Sequence, residues 1–307
     1  MSPLRPTRHS QSPPAAPNPI CPNPEAALAK QEPLWFPGLA WRAAAWIAWL
    51  LVLLLGVPGS PRAQPCGEPS ELRFEIAEKI VRSKLGFTQG LEFRDGKLYE
   101  STGSFDGTTQ LNIIALDGRV TTLADRGRTV FGEGLTILNG EIIQLTWQEH
   151  EVFVYDLAGK LLRRMRNPRD GWGLTNDGKS LIFTDGGPLL FFADPKTFAI
   201  GKTVKVRSNR VSEVAGLNEM ELVGGKLYAN IFTTRTIVRL DPASGCIDGV
   251  ADLELLWNAM TPAERAQASS PDNVLNGIAY DAKAGLFYLT GKRWMTIFSG
   301  RFTELPR

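Results

Sequence analysis

The chain is predicted to be all-β, a five-bladed β-propeller whose last blade is closed by the N-terminal strand of the folded part. Three observations predict this. From about residue 71, short runs rich in Val, Ile, Leu, Phe, Tyr and Thr alternate with turn dipeptides such as Asp95-Gly96, Asn139-Gly140 and Gly224-Gly225. One block of strand, tight turn, strand and further strands then recurs five times. Finally, equivalent positions of the blocks carry a set of residues suited to a site at the mouth of a channel. A β-sandwich of similar strand content is the runner-up fold, but it leaves the repeat unexplained.

The N-terminal part stands apart. Residues 1–63 hold 12 of the chain's 21 Pro, with only five basic and two acidic residues. Such composition cannot bury enough apolar surface to fold. Residues 1–40 read as a disordered or mis-assigned N-terminal extension. Residues 41–63 read as a signal peptide. Trp41-Arg42 leads into 13 apolar residues, Ala43 to Leu55, and then into small and turn-forming residues ending at Ala63. Ala63 suits a cleavage site, whereas Pro61 suits it poorly. A run of 13 residues is short for a membrane span, which takes roughly 20, so a membrane association is expected only if the segment stays uncleaved. The expected location is periplasmic or secreted.

Residues 64–307 form the predicted propeller. Phe87-Thr88-Gln89-Gly90-Leu91 opens the first block and Phe131-Gly132-Glu133-Gly134-Leu135 the second. Asp170-Gly171-Trp172-Gly173-Leu174, Gly216-Leu217-Asn218-Glu219-Met220 and Val274-Leu275-Asn276-Gly277-Ile278 open the others. The openings lie 44, 39, 46 and 58 residues apart, the spacing of propeller blades. The long final gap holds the only helical text, Leu253 to Ala268, with Pro262 starting a second turn of helix. The fifth block is one strand short, and Leu72 to Val81 is a strand without a block. Pairing the two would remove an exposed sheet edge.

Charge and composition exclude several classes. Without residues 1–63 the chain has 29 Lys+Arg against 30 Asp+Glu, so there is no basic face for nucleic acid. His9 falls in the leader. His150, in the turn Gln148-Glu149-His150-Glu151, reads as a solvent-exposed loop residue. A zinc site built from several His is therefore excluded. Cys66 and Cys246 either pair, as an oxidising compartment allows, or stand as two free thiols. No Gly-x-Ser-x-Gly, phosphate-binding loop or dinucleotide fingerprint occurs.

The register places Gln89, Glu133, Trp172, Asn218 and Asn276 in a ring at the channel mouth. Gly90, Gly134, Gly173 and Gly277 beside them remove side chains where backbones converge. Glu133 lies among Phe131, Phe87 and Trp172, an apolar surround that raises a carboxyl pKa and suits it to take and give a proton. Trp147 should share its face, and Lys292 could supply a positive charge there. The bland alternatives are a merely wet channel, Trp147 and Trp294 as packing, and Lys292 as a solvated turn residue.

These motifs, with Leu145-Thr146-Trp147, Asn218-Glu219-Met220-Glu221, Asn276-Gly277-Ile278-Ala279-Tyr280 and Leu289-Thr290-Gly291-Lys292, resemble the plant and bacterial type of glutaminyl cyclase over about residues 71–303. The resemblance implies a five-bladed propeller that converts an N-terminal glutaminyl residue into pyroglutamate with release of ammonia. It implies Glu133 as general base and acid. Gln89, Asn218 and Lys292 would bind the substrate amide and the developing oxyanion, with Phe87, Trp147 and Trp172 as aromatic walls. Asn276 completes the substrate-binding set. The chain departs from the pattern at Phe232, where the family has Trp, so an indole N–H is missing. The expected partners are peptides or proteins with N-terminal Gln, acted on by a monomer with no cofactor and no metal. Two rival readings use the same ring: a calcium-dependent propeller hydrolase with Glu133, Asn218, Asn276 and Gln89 around the ion, and a non-catalytic exported binding propeller.

Overall fold

Apolar alternation punctuated by tight turns becomes twenty strands and two short helices among the described residues. The structure, a computed structural model, describes residues 65–105 and 107–306. The inferred extension 1–40 and signal segment 41–63 lie outside the described residues.

Strand β1 is Ser70–Val81. Three four-stranded antiparallel sheets follow. The first contains β2 (Thr88–Arg94), β3 (Lys97–Thr102), β4 (Gln110–Ala115) and β5 (Val120–Asp125). The second contains β6 (Gly132–Leu138), β7 (Glu141–Thr146), β8 (Glu151–Asp156) and β9 (Leu161–Arg166). The third contains β10 (Leu174–Asn176), β11 (Leu181–Phe183), β12 (Leu189–Ala193) and β13 (Ile200–Lys205). The rest of the chain forms β14 (Leu217–Val223), β15 (Lys226–Ile231), β16 (Thr236–Leu240) and β17 (Ile247–Asp252). Then come helices α1 (Glu254–Ala259) and α2 (Pro262–Gln267), and strands β18 (Leu275–Asp281), β19 (Leu286–Gly291) and β20 (Thr296–Glu304). Strand β1 joins the last two groups. It pairs antiparallel with β20 from Leu72 opposite Glu304 to Val81 opposite Thr296, and parallel with β17 at Ser70 and Glu71.

The turn dipeptides do what their sequence asks. Asp95 and Gly96 have φ of 51° and 76°, and Asn139 and Gly140 have φ of 54° and 80°. Two successive positive φ values match the right-handed twist of a hairpin, which is why Asn or Asp followed by Gly is favoured there. The helical region splits at Pro262. Thr261 caps α2 by accepting the Glu264 N–H, and the Glu264 carboxylate accepts the Thr261 N–H in return, with Pro262 at the first helical position.

The first strands of successive groups touch in the order β2, β6, β10, β14, β18 and back to β2. Five apolar clusters lie between neighbouring groups. Phe153 and Tyr155 pack with Tyr99 and Leu111, and Leu91 and Leu98 pack with Tyr288 and Ile297. The architecture is thus all-β and propeller-like, with the core distributed between sheets rather than gathered in one layer.

Two further links hold the chain's beginning. Cys66 and Cys246 are joined by a disulfide, the first of the two alternatives open from sequence. It closes a loop of 180 residues, which in the chain-entropy account stabilises by up to about 5 kcal/mol. Just past β1, Arg82 makes two hydrogen bonds to Glu100 of β3, at 2.8 and 2.6 Å, with both side chains fully buried. Thr88 Oγ1 and Asn112 Nδ2 donate to the same carboxylate at 2.6 and 3.0 Å. Burial by itself would push the Glu100 carboxyl up. The Arg82 charge and these hydrogen bonds outweigh it and hold the carboxyl below its ordinary value.

Candidate active site

The repeat brings its ring residues together through a shared local device. Each of β2, β6, β14 and β18 shifts register where its ring residue stands. The shifts fall between Thr88 and Gly90, Gly132 and Leu135, Leu217 and Met220, and Leu275 and Ile278. A bulge inserts one extra residue and re-aims side chains. The adjacent glycines allow the close approach. A Cβ on Gly90 would stand 2.4 Å from Leu135 N, one on Gly134 2.5 Å from Leu174 N, and one on Gly173 1.8 Å from Asn218 O. These are neighbouring first strands in contact, as the sequence reading anticipated.

Eight of the nine residues singled out from sequence line one cavity of about 410 Å³: Phe87, Gln89, Glu133, Trp147, Trp172, Asn218, Phe232 and Lys292. The ninth, Asn276, is not among the lining residues. It is fully buried, and its amide donates to Thr88 O at 3.0 Å and reaches Gln89 Oε1 at 3.5 Å. β2, β6 and β14 carry the same register shift, but of the glycines beside the ring residues Gly277 alone takes a positive φ, +125°, and the Asn276 amide is held by Thr88 O. Gln89, held also by its own donation to Gly103 O at 3.3 Å, is the residue that reaches the cavity.

Glu133 is 6% exposed and Lys292 5%. Burial pushes the Glu133 carboxyl well above its ordinary value. The Lys292 charge opposes this and Glu149 adds to it. Burial likewise pushes Lys292 down, against the pull of Glu133 and Asp272. Each group favours the charged form of the other across the cavity, yet among the described residues the two make no direct ion pair. Lys292 is not a solvated turn residue, because its ammonium faces the Phe87 and Phe232 rings at 5.3 and 4.8 Å. Trp172 meets Phe232 edge-on at 5.3 Å, and it needs Gly186 beside it, where a Cβ would stand 2.7 Å from the indole. Asn218 Oδ1 is buried without a hydrogen-bond partner in the protein. An acceptor left open in a cavity is suited to a ligand N–H.

Other lining residues escaped the sequence reading: Ser104, Phe105, Ser270, Asp272, Asn273 and Arg293. They belong to loops that the repeat does not describe. Trp294, read as packing, is buried and donates to Asn273 O at 2.9 Å, so it seats one of these loops. Glu219, one residue beyond Asn218, accepts from Leu91 N at 2.9 Å and Ile278 N at 2.6 Å, crossing from β14 to β2 and β18. Burial raises its carboxyl well above the ordinary range. His150 is only partly exposed, with φ 59°, and lies outside the cavity.

A carboxyl and an amine, both buried and both facing one aromatic cavity, define an acid–base enzyme on a propeller-like scaffold. Comparison with known proteins agrees. The family model for glutamine cyclotransferase matches residues 49–302. The glutaminyl-peptide cyclotransferase of Arabidopsis thaliana is 32% identical over 258 residues, covering 80% of this chain and 78% of that protein. The crystal structure of Myxococcus xanthus glutaminyl cyclase aligns with a TM-score of 0.70 at 32% identity, over 78% of this chain and all of that one. The chain belongs to the glutamine cyclotransferase family. Its activity is that of a glutaminyl-peptide cyclotransferase.

Proposed function

We propose that Glu133 moves the proton when an N-terminal glutaminyl residue closes to pyroglutamate. The substrate's α-amine attacks its own side-chain amide carbon. Glu133 takes a proton from that nitrogen, and a tetrahedral centre with a negatively charged oxygen forms. Glu133 then returns the proton to the amide nitrogen, the C–N bond breaks, and ammonia leaves. One carboxyl serves both steps because the proton lost by one nitrogen is gained by the other. A free α-amine titrates near ~8, so a carboxyl raised by burial is better matched to it than an ordinary one.

The other groups orient and stabilise. Lys292 offers a positive charge to the developing oxyanion from a buried position in an aromatic cavity. Asn218 Oδ1 accepts an N–H of the substrate, and Gln89 holds the carboxamide. Phe87, Trp147, Trp172 and Phe232 wall the cavity. The attack is intramolecular, so fixing one rotamer supplies much of the acceleration. The observation that carries this reading is the burial of Glu133 opposite Lys292 in a single aromatic cavity. Incubation with a Gln-initiated peptide tests it. Stoichiometric ammonia and a cyclised N-terminus are the expected products, and their absence would refute it.

The framework is part of the proposal. The three four-stranded sheets, the group β14 to β17, and the group β18, β19, β20 and β1 are read as five blades, with β1 closing the ring. The cyclic contact of first strands and the pairing of β1 with β20 support this. Residues 64–307 are the catalytic domain of a monomer, exported behind a signal peptide to the periplasm or beyond. The Cys66–Cys246 disulfide suits such an oxidising space. The reaction is proposed to need no metal. The calcium reading places Asn276 at the ion beside Glu133 and Asn218, whereas Asn276 does not line the cavity and its amide is engaged by Thr88 O and Gln89 Oε1.

A further inference from the structure

We propose that Phe105 is a platform for the second residue of the substrate, the one following the N-terminal Gln, and that it makes the enzyme favour apolar and aromatic residues there. The inference rests on the glutaminyl-peptide reading above and extends it from the reacting residue to its neighbour.

Phe105 is 82% exposed, the largest fraction for a large apolar side chain among the described residues. It belongs to no core cluster. Its ring neighbours are Phe131 at 5.0 Å and Trp147 at 5.7 Å, which themselves meet edge-on at 5.6 Å. Both neighbours line the cavity, as Phe105 does. A phenyl ring left in water forgoes the stabilisation that burial would bring. Nothing in the fold recovers it, because the strands on either side pack through other residues, Tyr99 and Leu111. The ring therefore extends the aromatic wall of the cavity outward without packing the core.

The direction of the substrate follows from which groups are buried. Glu133 and Lys292 are nearly inaccessible, so the α-amine and side-chain amide of the Gln must enter first. The rest of the peptide can leave only toward the rim. The exposed lining residues there include the polar Ser270 and Asp272 and the Phe105 ring, which continues the wall made by Phe131 and Trp147. A side chain at the second position that lies against the Phe105 ring gains buried apolar area and ring contact. A glycine there gains neither.

The test compares kcat/KM for ammonia release from the dipeptide amides Gln-Phe and Gln-Gly. The wild-type enzyme is expected to favour Gln-Phe. Phe105→Ala should lower the Gln-Phe to Gln-Gly ratio by about three- to tenfold, the worth of one aromatic pair. Phe105→Trp should keep the ratio, and Leu162→Ala, an exposed change in β9, should alter neither rate. A ratio unchanged in Phe105→Ala overturns the proposal, as does an equal fall for both peptides, which would mean a wall for the Gln itself. A wild-type enzyme inert on both peptides overturns this proposal together with the cyclotransferase mechanism.

Discussion

The Lys292 ammonium stands 4.8 Å from the centre of the Phe232 ring and 5.3 Å from that of Phe87, held between two aromatic faces. Phe232 is also the position at which the resemblance to the family implies a Trp. An indole gives a stronger cation–π partner and adds an N–H donor. Phe232→Trp is expected to lower KM about two- to fivefold with little change in kcat, since ground and transition states would gain alike. Steady-state kinetics on a Gln-initiated peptide measures this. A raised KM would show that Phe232 suits a different substrate side chain.

Glu133→Gln removes the proton carrier and keeps the shape. Ammonia release should fall by at least ~10²-fold, the usual worth of one acid–base group. Folding should not suffer, because a neutral amide is cheaper to bury than a carboxylate. Thermal unfolding of the variant should therefore begin no lower than that of the wild type. Retained turnover would refute the assigned role.

Lys292 and Glu133 are linked in titration. The Lys292 charge favours ionised Glu133, opposing the upward push of burial. Replacing the ammonium by an apolar side chain, as in Lys292→Met, leaves burial unopposed and raises the Glu133 pKa further. The acidic limb of the kcat/KM profile should move to higher pH, alongside a lower plateau from the lost oxyanion partner. A limb that stays in place would mean that the limb reports another group.

Arg82 and Glu100 set a stability prediction. The folded pKa of Glu100 is depressed, so its contribution is fully present above the ordinary unfolded value. It is lost as pH falls through the folded value. Arg82→Met leaves a buried carboxylate without its counter-charge and should cost about 3–5 kcal/mol at neutral pH. The deficit should shrink on acidification, because Glu100 can then bind a proton. Denaturant unfolding at several pH values reads both signs. A deficit constant with pH would locate the loss in packing rather than charge.

Chelation tests the metal-free route. Extended dialysis against EDTA should leave kcat/KM within about twofold of the untreated enzyme. A loss restored by added calcium would favour an ion held by the channel carboxylates.

Much of this was legible in the sequence, because a repeat converts register into geometry. Gln89, Glu133, Trp172 and Asn218 occupy equivalent positions in their blocks, and all four reach one cavity. Lys292 was found the same way, at the end of its strand. Asn276 sits at the equivalent position but behind the cavity wall, because Gly277 beside it takes φ +125°, which Gly90, Gly134 and Gly173 do not, and its amide is held by Thr88 O. A register shift in β14, between Leu217 and Met220, hid Glu219. In a regular strand it would face away from Asn218, but at a bulge both neighbours turn inward, and Glu219 bridges three strands. Phe105 lay in a loop with no equivalent in other blocks. Its role depends on Phe131 and Trp147, which come near it only once the second sheet has formed.

The pairing of β1 with β20 also orders the protein's assembly in time. β1 is made before β18, β19 and β20, so the edge it offers to β20 stays unpaired until Thr296–Glu304 has been synthesised. A chain in that state presents a loose end rather than a finished surface. The sheet that joins the two parts of the chain closes only once β20 is made, and the Cys66–Cys246 disulfide ties the segment before β1 to the turn that precedes β17.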